Sequence, residues 1–399
     1  MLQEESQESK KCYKRNLNYI IIETILTSIG AGFSVATITL FWNSIGMNQA
    51  QIGFVQMAFT IVLCLLDIPM GYIADRFNRK ILNIIGDIGT AIVFLIYSFS
   101  NNIFMALLSE CLLGTFMAMT NGVDQSFIKY NCNLIDESGE LFKKVNVKTN
   151  TLRSISLFIV VIIGGFIAKY SLRLTIALSF IPYFIGGLFA FKIKDYNEKI
   201  TPTHKNPLKD LIHTTKEILK DKGTRTYIFG FVLGKEITHS QIWVFTPLLV
   251  LVGVPIEFIS IGWILNQALR IIGSKISGSM IKKKTSIKFL IPVLIEFAWM
   301  STLIFKCNIY TVWIFALNGF VHGLLEANMM TSLQQATRDE IQTSVISVAS
   351  TAARLFYIPL VYIINYLGNI ELQLALLGVC IIFAPLCLIE FLKLNKMEI

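Results

Sequence analysis

Apolar residues fill the chain in long blocks, with polar residues gathered in the intervals. That is the spacing of helices crossing a hydrocarbon layer, which takes roughly 20 residues each. Such blocks run over 17–42, 51–74, 81–100, 103–128, 149–170 and 173–193, and again over 226–251, 257–281, 287–306, 309–333, 342–367 and 371–392. In lipid only helices and closed barrels satisfy every backbone group, and unbroken apolar runs favour helices over alternating barrel strands. The pattern predicts an all-α integral membrane chain of twelve helices in two pseudo-symmetric six-helix bundles.

The polar intervals divide it into a tail at 1–16, a first bundle at 17–193, a linker at 194–225, a second bundle at 226–392 and a tail at 393–399. The opening MLQEESQESKKCYKRN lacks a short apolar core with a cleavage site, so no cleavable signal peptide is expected. In the linker, PLKDLIHTTKEILK places Leu208, Leu211, Ile212 and Ile218 near helical spacing after Pro207. This predicts an amphipathic helix on the membrane surface.

Composition supports the membrane reading, with 54% hydrophobic and 15% charged residues. The net charge of +9 is unevenly placed. Lys10, Lys11, Lys14 and Arg15, then Arg76, Arg79 and Lys80, then Lys143, Lys144 and Lys148, the linker lysines, and Lys282 to Lys284 fall in alternate intervals. Positive residues mark the cytoplasmic side, so both termini are expected there in a cell membrane. The basic charge is thus a topology signal with some attraction for membrane lipids, and nucleic acid need not be invoked. Usage rich in Ile, Lys and Asn points to an AT-rich bacterial genome.

The seven cysteines fall in spans or on the reducing side, apart from Cys307, so a disulfide framework is not expected. No Cys/His spacing suggests zinc and no Gly-rich loop precedes Lys-Ser/Thr, which disfavours an ATP-driven pump and leaves no cofactor to expect. No nucleophile, base and orienting group stand at interpretable spacing, so an enzyme is not expected.

The halves show traces of duplication. Gly71 and Gly278 are 278 − 71 = 207 residues apart, each before a basic interval, and Gly114 and Gly319 are 319 − 114 = 205 apart, with Asn121 and Glu326 seven positions on. Between the second and third spans lies GYIADRFNRK, which combines Gly71, Asp75, Arg76, Arg79 and Lys80. The positive-inside bias accounts for the cations but for neither Asp75 nor its spacing from Gly71. With the six-plus-six topology, this stretch resembles the first inner loop of the major facilitator superfamily. The upstream DIPMG is similar to the lead-in of its exporter-like members. Asn78 stands where Gly is usual, and the second-half counterpart GSMIKKKTS keeps the basic charge without the acid.

The resemblance implies that this loop latches against span eleven, which would begin near QTSVIS with Thr343 or Ser344 as cap, and that Arg79 pairs with Asp124. It also implies that spans one, four, seven and ten surround a central cavity. Ionisable residues inside spans are costly and therefore candidates for function. The candidates are Glu23, Glu110, Lys235, Glu236, His239, Arg270, His322, Glu326 and Arg354, with the polar Asn121 beside them. Lys235 and Glu236 point about 100° apart on a helix; Arg354 and Glu326 could form a structural pair; Glu23 is near enough to its inner end to snorkel. Asp87 and Glu296 lie in peripheral spans and read as structural.

The chain departs from proton-coupled drug antiporters of that family. Glu110 stands four residues before Gly114 where they carry Arg, and VVIIGGFIAKY keeps Gly164 and Gly165 without their Pro. The expected function is a monomeric secondary transporter exporting a small cationic or zwitterionic compound, with protons exchanged on one of the buried acids. An uptake symporter and a receptor that binds without transport are the alternatives.

Overall fold

The structure, a computed structural model, describes residues 2–76, 79–136, 138–194, 215–280, 282–337 and 342–397, and every regular element among them is helical. The first half holds α1 (Leu2–Val35), α2 (Ile38–Ser44), α3 (Gln49–Arg76), α4 (Arg79–Ser98), α5 (Ile103–Thr120), α6 (Val123–Ile135), α7 (Glu140–Ala168), α8 (Leu172–Leu178) and α9 (Phe180–Ala190). The second holds α10 (Lys222–His239), α11 (Ile242–Leu251), α12 (Ile256–Ser277), α13 (Thr285–Phe305), α14 (Leu317–Gln335), α15 (Gln342–Ile370) and α16 (Leu372–Met397).

Each predicted span is present as one helix or two in series. The first is broken at Ala36–Thr37, the fourth at Asn121–Gly122, the sixth at Ser179 and the seventh at Ser240–Gln241, while a 3-10 segment, Val312–Ala316, leads into the tenth. At the fourth break Gly122 has φ +76°, a conformation in which a side chain would be strained. All four spans expected to line a cavity are therefore irregular, and irregular backbone at membrane depth is tolerated where it is buried or faces water.

Among the described residues, ten helical stretches are long and apolar enough to cross a membrane. The seventh and tenth predicted spans fall outside that set because Lys235, Glu236 and His239 interrupt one and Asn318, His322, Glu326 and Asn328 the other. Elsewhere Leu, Ile and Phe side chains such as Leu65, Phe104, Leu294 and Ile381 are exposed on the helix surfaces, as lipid-facing residues are.

Two polar segments are helical in part. α1 starts at Leu2 and runs through the first polar interval into the apolar stretch. In the linker, 215–220 are helical with Ile218 buried, whereas Leu208, Leu211 and Ile212 lie outside the described residues.

Packing separates two compact units. One comprises Met1–Phe41 and Ile61–Lys205, the other Trp42–Thr60 and Asn206–Ile399. Trp42–Thr60 thus packs with the later residues, although it lies in the first half of the chain. Gln49 Nε2 donates to Asn365 Oδ1 at 2.6 Å and to the Trp243 carbonyl at 3.0 Å, and the rings of Trp42 and Trp243 are 5.3 Å apart.

Candidate functional site

In the second unit the site is set by the close approach of α12 and α14. A Cβ at Gly319 would run into the Asn266 carbonyl, one at Gly323 into the Arg270 carbonyl, and one at Gly273 into the Phe320 carbonyl. Only hydrogen fits at these three positions, which is how small residues let membrane helices meet backbone to backbone. The contact carries Arg270 to Glu326: Nη2 donates to Oε2 at 2.7 Å. Their side chains are 41% and 35% exposed, so this ion pair borders open space and is not sealed in the core.

His322, one helical turn before Glu326, places Nε2 3.4 Å from the same Oε2, while its Nδ1 is 2.6 Å from Thr238 Oγ1 on α10. Thr238 Oγ1 also donates to the Lys235 carbonyl at 2.9 Å, so the hydroxyl links His322 to the α10 backbone. A second group stands on α10 itself. Glu236, fully buried, has Oε2 3.5 Å from His239 Nδ1. The His239 ring stacks on Tyr357 of α15 with centroids 4.4 Å apart, and Tyr357 Oη accepts from Trp243 Nε1 at 2.8 Å. The two groups meet on α10, which carries Thr238, Glu236 and His239. Lys235 and Arg354 are half-buried on the same two helices, α10 and α15.

Behind these groups Glu296 holds the break in the seventh span. Its Oε1 accepts from Gln241 Nε2, at the break, and from Asn318 Nδ2 at 3.0 Å, and its Oε2 accepts from Trp299 Nε1 at 2.8 Å. Asn318 also donates to the Thr238 carbonyl at 2.9 Å. Three donors around a fully buried carboxyl agree with the structural role expected of Glu296.

The first unit contains a different cluster. Glu23 is within hydrogen-bonding reach of both Asp87 and Asp124, and Arg153 is the cation acting on Asp124. Arg153 Nε also donates to Ser28 Oγ at 3.1 Å. Glu23 is 1% exposed, well along α1, so it does not snorkel to the helix end. Asp87, expected to be structural in a peripheral span, joins it because α4 packs against α9 and α9 against α1. Glu110 stands apart from this cluster and accepts from Tyr97 Oη at 3.0 Å. Asn121 is exposed at the break of the fourth span, where its Nδ2 donates at 2.7 Å to Asp67, the acid of DIPMG.

The inner loop is described in part. Gly71, Asp75 and Arg76 lie in the last turns of α3, and their side chains lie outside the described residues. Arg79 meets the expected segment of the fourth span at Ser126, two residues beyond Asp124, with Nη1 donating to Oγ at 2.5 Å. Lys80 Nζ donates to the Phe191 carbonyl at 2.7 Å. α15 is helical from Gln342 onward, which puts Thr343 and Ser344 inside it.

Thr238, Tyr357 and Asp87 are participants that the sequence pattern did not single out. The first two are uncharged, and Thr238 follows Glu236 closely enough to be overlooked beside it. Asp87 carried the signal of any ionisable residue inside a span and was set aside only by the peripheral place of span three.

A family model described as Major Facilitator Superfamily matches residues 20–359. An uncharacterized MFS-type transporter of Methanocaldococcus jannaschii is 24% identical over 115 residues, a match covering 29% of this chain and 30% of that protein. Another, YitZ of Bacillus subtilis, is 26% identical over 154 residues, covering 38% of this chain and 91% of that protein. Among solved structures, a point mutant of the nucleoside transporter NupG superposes with a TM-score of 0.77 at 14% identity, covering 96% of this chain and 99% of that one. A bacterial homolog of the human lysosomal transporter Spinster gives 0.68 at 14% identity, covering 90% and 81%. At such identities the structural likeness speaks for the fold.

Proposed function

The chain belongs to the Major Facilitator Superfamily and is a membrane transporter of that family, and from that premise we propose that it exports a small zwitterionic or cationic organic compound in exchange for protons. The observation that carries this reading is the half-exposed Arg270–Glu326 pair on two helices held together by glycine. An ion pair inside spans is costly in lipid and finds a use where it borders water and a substrate. Its two ends match a compound bearing both charges: a carboxylate takes the guanidinium in bidentate fashion and an ammonium takes the carboxylate. A purely cationic compound would compete with Arg270 for Glu326. Tyr357 and His239 offer an aromatic wall beside the pair.

In the second unit the proposed site comprises Lys235, Glu236, His239, Arg270, His322, Glu326 and Arg354, with Glu236 or Glu326 carrying the exchanged proton; Glu23, Glu110 and Asn121 are the candidates of the first unit. The two bundles alternate access to the site. Gly71, Asp75, Arg76, Arg79, Lys80 and Asp124 act as the inner latch. The protein works as a monomer in the cell membrane with both termini in the cytoplasm. The resemblance of DIPMG to exporter lead-ins supports the outward direction.

The test is flux into membrane vesicles of expressing cells, using a panel of labelled amino-acid-like and cationic compounds with an imposed pH gradient. Accumulation in everted vesicles, acid inside, is expected. Accumulation confined to right-side-out vesicles would make the protein an uptake symporter. Saturable binding without flux in liposomes would make it a receptor.

A further inference from the structure

Each unit has a basic pocket at one end, between its first and last helices, apart from the proposed substrate site, the first sharing only Lys80 with the proposed latch. In the first unit a cavity of about 440 Å³ is walled by Arg15, Lys80, Lys192 and Lys194, with Tyr19 beside them. In the second a cavity of about 610 Å³ is walled by Lys222, Arg225, Lys393 and Lys396, with Phe229 beside them and Glu390 the one acid among the described residues that line it. Four cations gather where like charges repel.

The two pockets correspond on their first helices. Arg225 and Phe229 follow Arg15 and Tyr19 at one offset (225 − 15 = 229 − 19 = 210), and in each pair the spacing of four puts both side chains on one helix face. In each pocket a lysine lies over an aromatic ring: Lys192 Nζ is 5.9 Å from the Tyr19 ring and 4.9 Å from that of Phe189, and Lys393 Nζ is 5.6 Å from the Phe229 ring. A charge pattern repeated in both halves, down to the ring that holds a lysine in place, is more than the positive-inside bias requires, because that bias sets the number of basic residues and not their register.

Below each pocket the last helix shows an exposed apolar stripe. Leu188, Ile185 and Ile181 precede Lys192 at helical spacing, and Leu392 and Leu388 precede Lys396, all five exposed. We propose that each pocket binds the headgroup of an anionic phospholipid, the phosphate held by the arginine and lysines and the acyl chains lying along the stripe. Arginine chelates phosphate oxygens in bidentate fashion, and basic pockets between membrane helices on the cytoplasmic side suit acidic headgroups. The stripes favour a lipid over a soluble phosphate, which would have no use for them. The inference rests on the cytoplasmic placement of these helix ends proposed above, and on none of the proposed substrate or coupling chemistry.

The test is native mass spectrometry of the purified full-length protein with phosphatidylglycerol, phosphatidylethanolamine or glycerol phosphate. Two phosphatidylglycerol molecules are expected to be retained in preference to phosphatidylethanolamine. Arg225→Gln with Lys393→Gln should lose one, Arg15→Gln with Lys192→Gln the other, each loss amounting to tenfold or more in affinity, on the order of what two basic residues near a membrane surface contribute. Lys143→Gln with Lys148→Gln, removing two exposed charges elsewhere on α7, should lose neither. Lys393→Arg should bind like the native protein, which separates a lost site from a damaged fold. Equal retention by the pocket and control variants, no preference over phosphatidylethanolamine, or displacement by glycerol phosphate would each overturn the proposal. No transport is measured, so the result is independent of the proposed export activity.

Discussion

Arg270 Nη2 lies 2.7 Å from Glu326 Oε2, and His322 Nε2 reaches the same oxygen at 3.4 Å. One carboxylate oxygen thus serves two basic groups, and a substrate ammonium arriving there must compete with both. Arg270→Gln and Glu326→Gln are each expected to cut substrate counterflow in proteoliposomes by at least about tenfold. The double variant should lose less than the product of the two effects, since contacting residues are not additive. Strictly multiplicative losses would show that the pair does not act as a unit in transport.

Coupling is separable from binding. Glu236→Gln or Glu326→Gln should abolish accumulation driven by a pH gradient, because Gln cannot carry a proton. At least one of the two should still exchange labelled for unlabelled substrate. Unaltered pH-driven accumulation in both variants would exclude these two acids as individually required carriers and turn attention to Glu23, which faces Asp87 and Asp124.

The glycines under the site make a stability prediction. Gly323→Ala places a methyl against the Arg270 backbone carbonyl, and backbone cannot swing aside as a flexible side chain can. A loss of about 1 to 3 kcal/mol is expected from such overpacking, together with a widened Arg270–Glu326 distance. Gly278→Ala, at a position with helical φ −56° and open space around it, should be neutral or slightly stabilising. Unfolding of the two variants in detergent, followed in parallel, gives the comparison.

Glu296 is expected to matter for folding and little for coupling. Glu296→Ala leaves the donors of Gln241, Asn318 and Trp299 without their acceptor. Since each buried unsatisfied group costs about 1 to 3 kcal/mol, the variant should unfold well below the native protein. Glu296→Gln keeps one carbonyl acceptor and should retain pH-driven transport once corrected for abundance. Loss of coupling in a folded Gln variant would move Glu296 from scaffold to mechanism.

A pH effect is expected at the entry of the seventh span, outside the membrane. Asp221 accepts from the Thr224 amide at 2.6 Å, and this backbone hydrogen bond holds its carboxyl below the usual carboxylate range. With a lowered folded-state pKa, the capping stabilisation is present above the ordinary carboxylate pKa of about 4 and fades as pH falls through the lower folded value. Asp221→Ala should cost about 1 kcal/mol near neutrality, seen as faster hydrogen exchange at 222–226. The native protein should lose that advantage in acid, whereas Asp221→Asn should show no such change.

What the chain could declare about itself was whatever hydropathy and local charge encode. Twelve apolar blocks forced helices, because an unpaired backbone in lipid is too costly. The motif GYIADRFNRK pointed to the family, because Asp75 and its spacing from Gly71 exceed what the positive-inside bias explains. Even the most polar blocks, 226–251 and 309–333, were legible as spans with a function.

Partners across helices were beyond that reach. Periodicity assigns a side chain to a face but does not say which other helix that face meets, or at what height. Only the packed glycines of α12 and α14 bring Arg270 to Glu326 and leave Arg354 elsewhere on α15. Only the packing of α1 against α6 and α9, and of α9 against α4, collects Asp87, Glu23 and Asp124. Arg79 reaches the expected segment of the fourth span, where its Nη1 donates to Ser126 Oγ, and which residue of α6 it meets depends on the packed rotation of that helix, which no local pattern records. Helix identity is written in short-range chemistry, whereas the register between helices is decided where backbones touch.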